Sequence, residues 1–172
     1  MANARKEKRV IQRNGKHKPT GYVPWFTKCY WRSRPDSYAN LLLPPRLTRA
    51  QIGGRDAGFA TELTYGTLRC QGYYDWIIEQ CSSRPVAALE KPVLVILRMG
   101  LHQLLNMRVP THAAVSESVN LAKQEVNQGA AGLVNGVLRG ALRLGEDELQ
   151  RRLNSLSPTA RLARRYSHPA WI

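Results

Sequence analysis

The 172-residue chain is poor in acidic residues, with 12 Asp and Glu against 26 Lys and Arg, so its formal charge is +14. It is also poor in cysteine. Cys29, Cys70 and Cys81 are odd in number and show no C-x-x-C spacing, which argues against a disulfide framework and for a reducing compartment. The four histidines, His17, His102, His112 and His168, are scattered without i,i+4 pairing, so no metal site is expected. Long apolar runs are missing too. The longest aliphatic stretch, Val93 to Leu97, falls far short of the roughly 20 residues a membrane span needs. No apolar core follows the basic N-terminus as a secretory signal would require. The expectation is a cytoplasmic protein with no membrane association. No stretch alternates apolar and polar residues as a half-buried strand would.

Catalytic patterns are equally scarce. There is no H-E-x-x-H, no supported Ser-His-Asp arrangement and no G-x-G-x-x-G, and no strand precedes Gly53-Gly54 to make it a nucleotide turn. Glu146, Asp147 and Glu148 read as the opening of a helix, where carboxylates complement the dipole. Cys70 and Cys81 fall on apolar stripes and read as small core residues. No catalytic residue and no cofactor are expected in this chain.

What is present is helical period, in segment after segment from residue 55 onward. Phe59, Leu63, Gly66 and Cys70 form one stripe, and Tyr74, Ile77, Ile78 and Cys81 the next. Val93, Ile96, Leu97, Gly100, Leu101 and Leu104 make the cleanest apolar face, on a helix that can begin near Pro92. After Pro110, with Thr111 as its cap, Val115, Val119, Ala122 and Val126 continue towards a stop at Gly129. A helix bearing Leu133, Val134, Val137, Leu138, Ala141 and Leu142 follows, with Gly145 to end it. Leu149, Leu153 and Leu156 come next, and Ser157-Pro158 reads as a cap and first-turn proline of a short last helix. Glycines 66, 100, 136 and 140 within these stripes point to close approach of helix backbones. The fold class is all-α, with short connections favouring antiparallel neighbours.

The positive charge is not spread evenly. Residues 1–18 carry Arg5, Lys6, Lys8, Arg9, Arg13, Lys16 and Lys18 against Glu7 alone, and residues 151–172 carry Arg151, Arg152, Arg161, Arg164 and Arg165 with no acid. Residues 50–150 are almost neutral. A neutral body with basic extremities suits a polyanion, nucleic acid first and membrane surface second. Within the body, Arg69, Arg98, Arg108, Arg139 and Arg143 offer forks for phosphate, while Glu62, Asp75, Glu79 and Glu117 are available as internal partners. In residues 19–36, Tyr22, Trp25, Phe26, Tyr30 and Trp31 crowd between prolines, either packing onto the body or forming a stacking surface for single-stranded RNA.

Specific strings then carry a resemblance. RDAGFATELTYGTLRCQGYYDWIIEQ, RMGLHQLLNMRVPTHAAVSESVNLA, GLVNGVLRG and YSHPAWI resemble, in order and spacing, the NusB-like domain shared by transcription antitermination factors and ribosomal RNA methyltransferases. The chain is most similar to the N-terminal domain of the 16S rRNA (cytosine-5) methyltransferase B (RsmB/Sun) family. The resemblance implies two packed three-helix bundles and an RNA-related role. It divides the chain into a basic, irregular extension (1–35), a helical RNA-binding domain (36–166) and the start of a linker to an absent catalytic domain (167–172). The family's chemistry uses a cysteine directly after proline, whereas Lys28, Arg69 and Gln80 precede the cysteines here, so no catalytic or SAM-binding motif carries over. SAM belongs only to the missing domain. The family also opens with a regular amphipathic helix before Tyr38, which residues 19–36 do not show.

The reading is therefore a non-catalytic RNA-binding accessory domain whose partner is ribosomal RNA, with a methyltransferase domain in cis or in trans. Two alternatives remain: a stand-alone antitermination factor, and a helical protein–protein docking module. The candidate RNA-binding residues are Arg5, Lys6, Lys8, Arg9, Arg13, Lys16, Lys18, Arg69, Arg139, Arg143, Arg164 and Arg165.

Overall fold

A computed structural model describes residues 39–167, with side chains from Leu43 onward. Among the described residues there are seven α-helices: α1 (Ala39–Arg49), α2 (Gly54–Arg69), α3 (Gln71–Cys81), α4 (Lys91–Asn106), α5 (Thr111–Glu125), α6 (Gln128–Asn154) and α7 (Pro158–Tyr166). A 3-10 turn, Val86–Ala88, links α3 to α4 after Pro85. The basic extension and the opening-helix question lie outside the described residues.

The core is built around α4, as its apolar stripe predicts. Val93, Ile96, Leu97, Gly100 and Leu101 are buried, and so are Val95, Met99, His102 and Gln103, so this helix is enclosed on nearly every side. Each large aliphatic side chain buried there contributes about 1.5–3 kcal/mol. Helices α4, α5 and α6 pack on one another as one three-helix group. Helices α2 and α3 lie against α4, α3 also meets α6 and α7, and α1 rests on α2.

Local chemistry explains most helix boundaries. Asn127 caps α6, its side-chain oxygen accepting from the Ala130 amide at 2.8 Å. Ser157 caps α7 in the same way, accepting from Ala160, and Pro158 occupies the first turn. Gly145 has φ +72°, so the helical path breaks there and Glu146, Asp147 and Glu148 open a second segment within α6.

Four sequence expectations are corrected. Helical structure begins before residue 55: α1 forms although Pro44 and Pro45 lie inside it, because Leu43 and Leu47, four residues apart, reach the core together. Thr111 is not a cap; it is already helical, and Pro110 stands at the entry, its carbonyl accepting from Ala113 and Ala114. Gly129 stops nothing, because α5 ends at Glu125 and Gly129 lies in the Asn127-capped first turn of α6. Gly66 and Gly100 approach side chains instead of backbones, whereas a Cβ at Gly140 would lie 4.0 Å from the Cys81 Cα on a neighbouring helix. A Cβ at Gly66 would overlap the His102 ring, one at Gly100 would lie 2.9 Å from Leu138 and Ser118 atoms, and one at Gly136 would meet open space.

Candidate nucleic-acid interface

Helix α3 is the element on which the described candidate residues converge. Its N-terminus follows α2 after a single residue, Cys70, which brings Arg69 to this end. The end of α7 is fastened to the same place. Ser167 adopts a left-handed conformation, φ 55°, and its Oγ accepts from the amides of Gly72 and Tyr73 at 3.1 and 3.4 Å. The first-turn amides of α3 are thus satisfied by a hydroxyl 95 residues away in sequence. Gly72 permits the approach, since a Cβ there would stand 3.0 Å from the Ser167 Cα. Arg164 and Arg165, in the last turn of α7, are consequently held beside the start of α3, and both are exposed.

The other end of α3 meets α6. Gly140 faces Cys81, with a hypothetical Cβ only 3.3 Å from the cysteine Cβ, and Arg139 and Arg143 flank that contact on exposed positions. Arg139 donates to Asn135 Oδ1 at 2.9 Å. Arg152, from the segment after the kink, donates to Gln80 Oε1 at 3.3 Å and pairs with Glu148 at 2.8 Å; Arg151 also reaches Glu148, at 2.9 Å. The Arg152 hydrogen bond holds the Glu148 carboxyl below its ordinary range. Burial raises the Cys81 thiol above its ordinary value, against the opposing pull of Arg152 and Arg143, which leaves it a protonated packing residue.

Of the twelve candidates, Arg69, Arg164 and Arg165 gather at one end of α3, and Arg139 and Arg143 at the other. An 11-residue helix is about 16 Å long, or roughly five stacked nucleotides at about 3.4 Å each. The remaining seven, Arg5, Lys6, Lys8, Arg9, Arg13, Lys16 and Lys18, lie outside the described residues. Arg69 stands 3.8 Å from Glu62, with both side chains more than half exposed, a geometry of little energetic weight. Arg98 is different. It grips Asp75 with two hydrogen bonds of 2.7 and 2.6 Å, mostly buried, and is committed to joining α3 to α4.

Sequence patterning did not single out the polar chain that lies beneath this surface. Asn106 donates to Tyr74 Oη at 2.7 Å, the Tyr74 hydroxyl lies 2.7 Å from His102 Nδ1, and His102 Nε2 faces Glu62 at 3.3 Å. With Asn106 donating, the tyrosine proton points to Nδ1 and the histidine hydrogen sits on Nε2. Burial holds the His102 pKa below its ordinary value, and burial likewise raises that of Tyr74. The free thiol of Cys70 also hydrogen-bonds with the Tyr74 hydroxyl, and the chain of contacts ties α2, α3 and α4 together. The available signal was Gly66, the one stripe position where only a glycine leaves room for an imidazole.

Among the described residues, no three His, Cys, Asp or Glu side chains come together as a metal-ligand set. None of the described helices is long and apolar enough to cross a membrane.

Comparison with known proteins places this geometry. The model of the NusB family matches residues 28–143. That match begins upstream of residue 36 and stops before the Gly145 kink. A Mycobacterium tuberculosis protein, provisionally named a methyltransferase, is 45% identical over 146 residues, 81% of this chain and 31% of its own length. Ribosomal RNA small subunit methyltransferase B of Serratia proteamaculans is 36% identical over 121 residues, 70% of this chain and 27% of the relative. The protein of that name from Escherichia coli O1:K1 is 34% identical over 131 residues, 76% and 28% respectively. The chain thus spans less than a third of the length of these relatives.

Proposed function

The chain belongs to the NusB family, and from that premise we propose that it is the RNA-binding part of a ribosomal RNA methyltransferase system. It captures the polyanion without performing the chemistry. The observation that carries this reading is the gathering of exposed arginines from α2, α6 and α7 at the two ends of α3, on a body otherwise close to neutral. Arginine forks suit phosphate oxygens, and a rigid helical frame fixes the register in which they meet the backbone. The names of the relatives at 36% and 34% identity support ribosomal RNA as the substrate class, and that of the relative at 45% supports a methyltransferase system. The same names favour this reading over a free-standing antitermination factor.

In this reading the residues described here divide into two jobs. Arg69, Arg139, Arg143, Arg164 and Arg165 hold phosphates, and the Arg98–Asp75 and His102–Tyr74 contacts keep α3 in place beneath them. SAM and the reactive cysteine belong to a catalytic domain that works with this one, in cis or in trans, in the cytoplasm. The test is binding of a small-subunit rRNA fragment followed across salt. Five phosphate contacts on a single strand lower affinity roughly 100-fold between about 50 and 200 mM salt. Affinity unchanged across that range would overturn electrostatic capture. Labelled methyl transfer from SAM by the isolated chain would overturn the non-catalytic assignment.

A further inference from the structure

Where α3, the segment of α6 after the kink, and α7 meet, a half-open groove of about 160 Å³ is lined by Tyr73, Gln150, Leu153 and Arg165. Its size lies well below the roughly 300–1,000 Å³ of a cofactor pocket, on the scale of a single planar ring system. Leu153 is 1% exposed and forms an apolar floor. Tyr73 is half-buried, and Trp76 stacks on it with centroids 5.9 Å apart and planes 16° from parallel. The Gln150 amide donates to Asn154 Oδ1 at 3.2 Å, which fixes its plane and keeps its oxygen and second N–H for a ligand. Arg165 is exposed at the rim; burial first and the Glu146 carboxylate second raise the pKa of the Tyr73 hydroxyl, and the Arg165 charge acts against them.

We propose that this groove takes one unstacked base of single-stranded RNA. The base lies against Tyr73 over Leu153, Gln150 hydrogen-bonds to its edge, and Arg165 holds the adjoining phosphate. A glutamine amide offers a donor beside an acceptor and can meet an edge of any base, so the site accepts a base without strong discrimination. The groove is not part of what the family model covers. Gln150, Leu153 and Arg165 all follow residue 143, where that match ends, and Tyr73 alone lies within it. The Gly145 break turns the Gln150–Leu153 segment onto α3, and the Ser167 bond to Gly72 and Tyr73 holds Arg165 against the same helix.

The inference rests on the RNA-binding reading, and a comparison of ligands separates the two. Fluorescence anisotropy would follow the full chain and its Tyr73→Leu variant binding a short oligoadenylate, and an abasic ribose-phosphate strand of equal length and charge. Tyr73→Leu is expected to weaken oligoadenylate binding by about 5- to 150-fold, the range of one lost stacking contact, and to leave the abasic strand unaffected. Should Tyr73→Leu fail to fold, Gln150→Ala, on a partly exposed helix face, is expected to show the same selectivity with a smaller loss. A 2-aminopurine in the strand should be quenched by the wild-type chain and less by either variant. Equal affinity of wild type and variants for oligoadenylate would overturn the base site and leave phosphate capture standing. Failure of the wild-type chain to bind either strand would overturn both.

Discussion

At the scale of single residues, His102 shows how a polar group is made tolerable in an apolar helix. It sits 1% exposed between Leu101 and Gln103, with one ring nitrogen on Tyr74 and the other on Glu62, in space that Gly66 leaves open. Burial is the largest influence on it and favours the neutral ring; the Glu62 carboxylate pulls the other way and is the weaker effect. The sign of the resulting pH dependence follows. The unfolded chain takes up the histidine proton near pH 6.5 and the folded chain only at lower pH, so stability is complete above about 6.5 and falls as pH drops below it. Glu117 opposes this lower down, because burial raises its pKa above 4.5 and its protonation favours the fold. Urea midpoints measured between about pH 7.5 and 5.5 should therefore decline for the wild-type chain, and His102→Gln should flatten that decline while lowering stability throughout. A wild-type midpoint that rises on acidification would contradict a neutral buried imidazole. Sequence patterning registered the stripe glycines but misread their purpose at Gly66, since a period of apolar residues says nothing about which side chain from a neighbouring helix enters the gap.

At the scale of elements, most of what the pattern predicts is present. The apolar face of α4, the capped entry of α7 and the break at Gly145 follow from residue types whose effects are local: aliphatic spacing, a serine before proline, and a glycine able to adopt positive φ. Some misreadings come where tertiary contact decides. Helix α1 persists through two prolines because Leu43 and Leu47 are anchored; the misreading of Gly129 is instead local, since it lies in the first turn of a new helix that Asn127 caps. The fastening of α7 was also beyond local reading, since Ser167 and Gly72 are far apart in the chain. That bond acts as a borrowed N-cap for α3. Removing its hydroxyl with Ser167→Ala should cost about 0.5–2 kcal/mol, the range of a lost cap. Hydrogen exchange locates the effect. The Gly72 and Tyr73 amides should exchange faster in the variant, whereas amides in the middle of α4 should change only as far as global stability does. Unchanged protection at Gly72 and Tyr73 would show that packing alone holds α7 on α3.

At the scale of the whole molecule, the charge distribution was the most legible feature and its geometry the least. The sequence places basic residues at its two ends and single arginines within the body; only the fold brings the end of α2, with Arg69, and the end of α7, with Arg164 and Arg165, to the same end of α3, and sets Arg139 and Arg143 at the opposite end. Composition cannot anticipate this, because it depends on α7 returning to the start of α3 after α6 breaks at Gly145. An RNA strand engaging both ends must follow the length of α3, whereas one engaging a single end need not. Salt dependence separates the two, because each phosphate contact on a single strand contributes about 0.7 to the slope of log affinity against log salt. The double variants Arg139→Gln/Arg143→Gln and Arg164→Gln/Arg165→Gln lie on different helices at exposed positions, so neither should disturb the core. For a strand spanning α3, each pair should reduce the slope by about 1.4, and the two combined by about 2.8, since contacts this far apart act independently. Binding at one end alone would instead leave one double variant with the full wild-type slope, and would reassign the remaining electrostatic attraction to the basic residues of the first 18 positions.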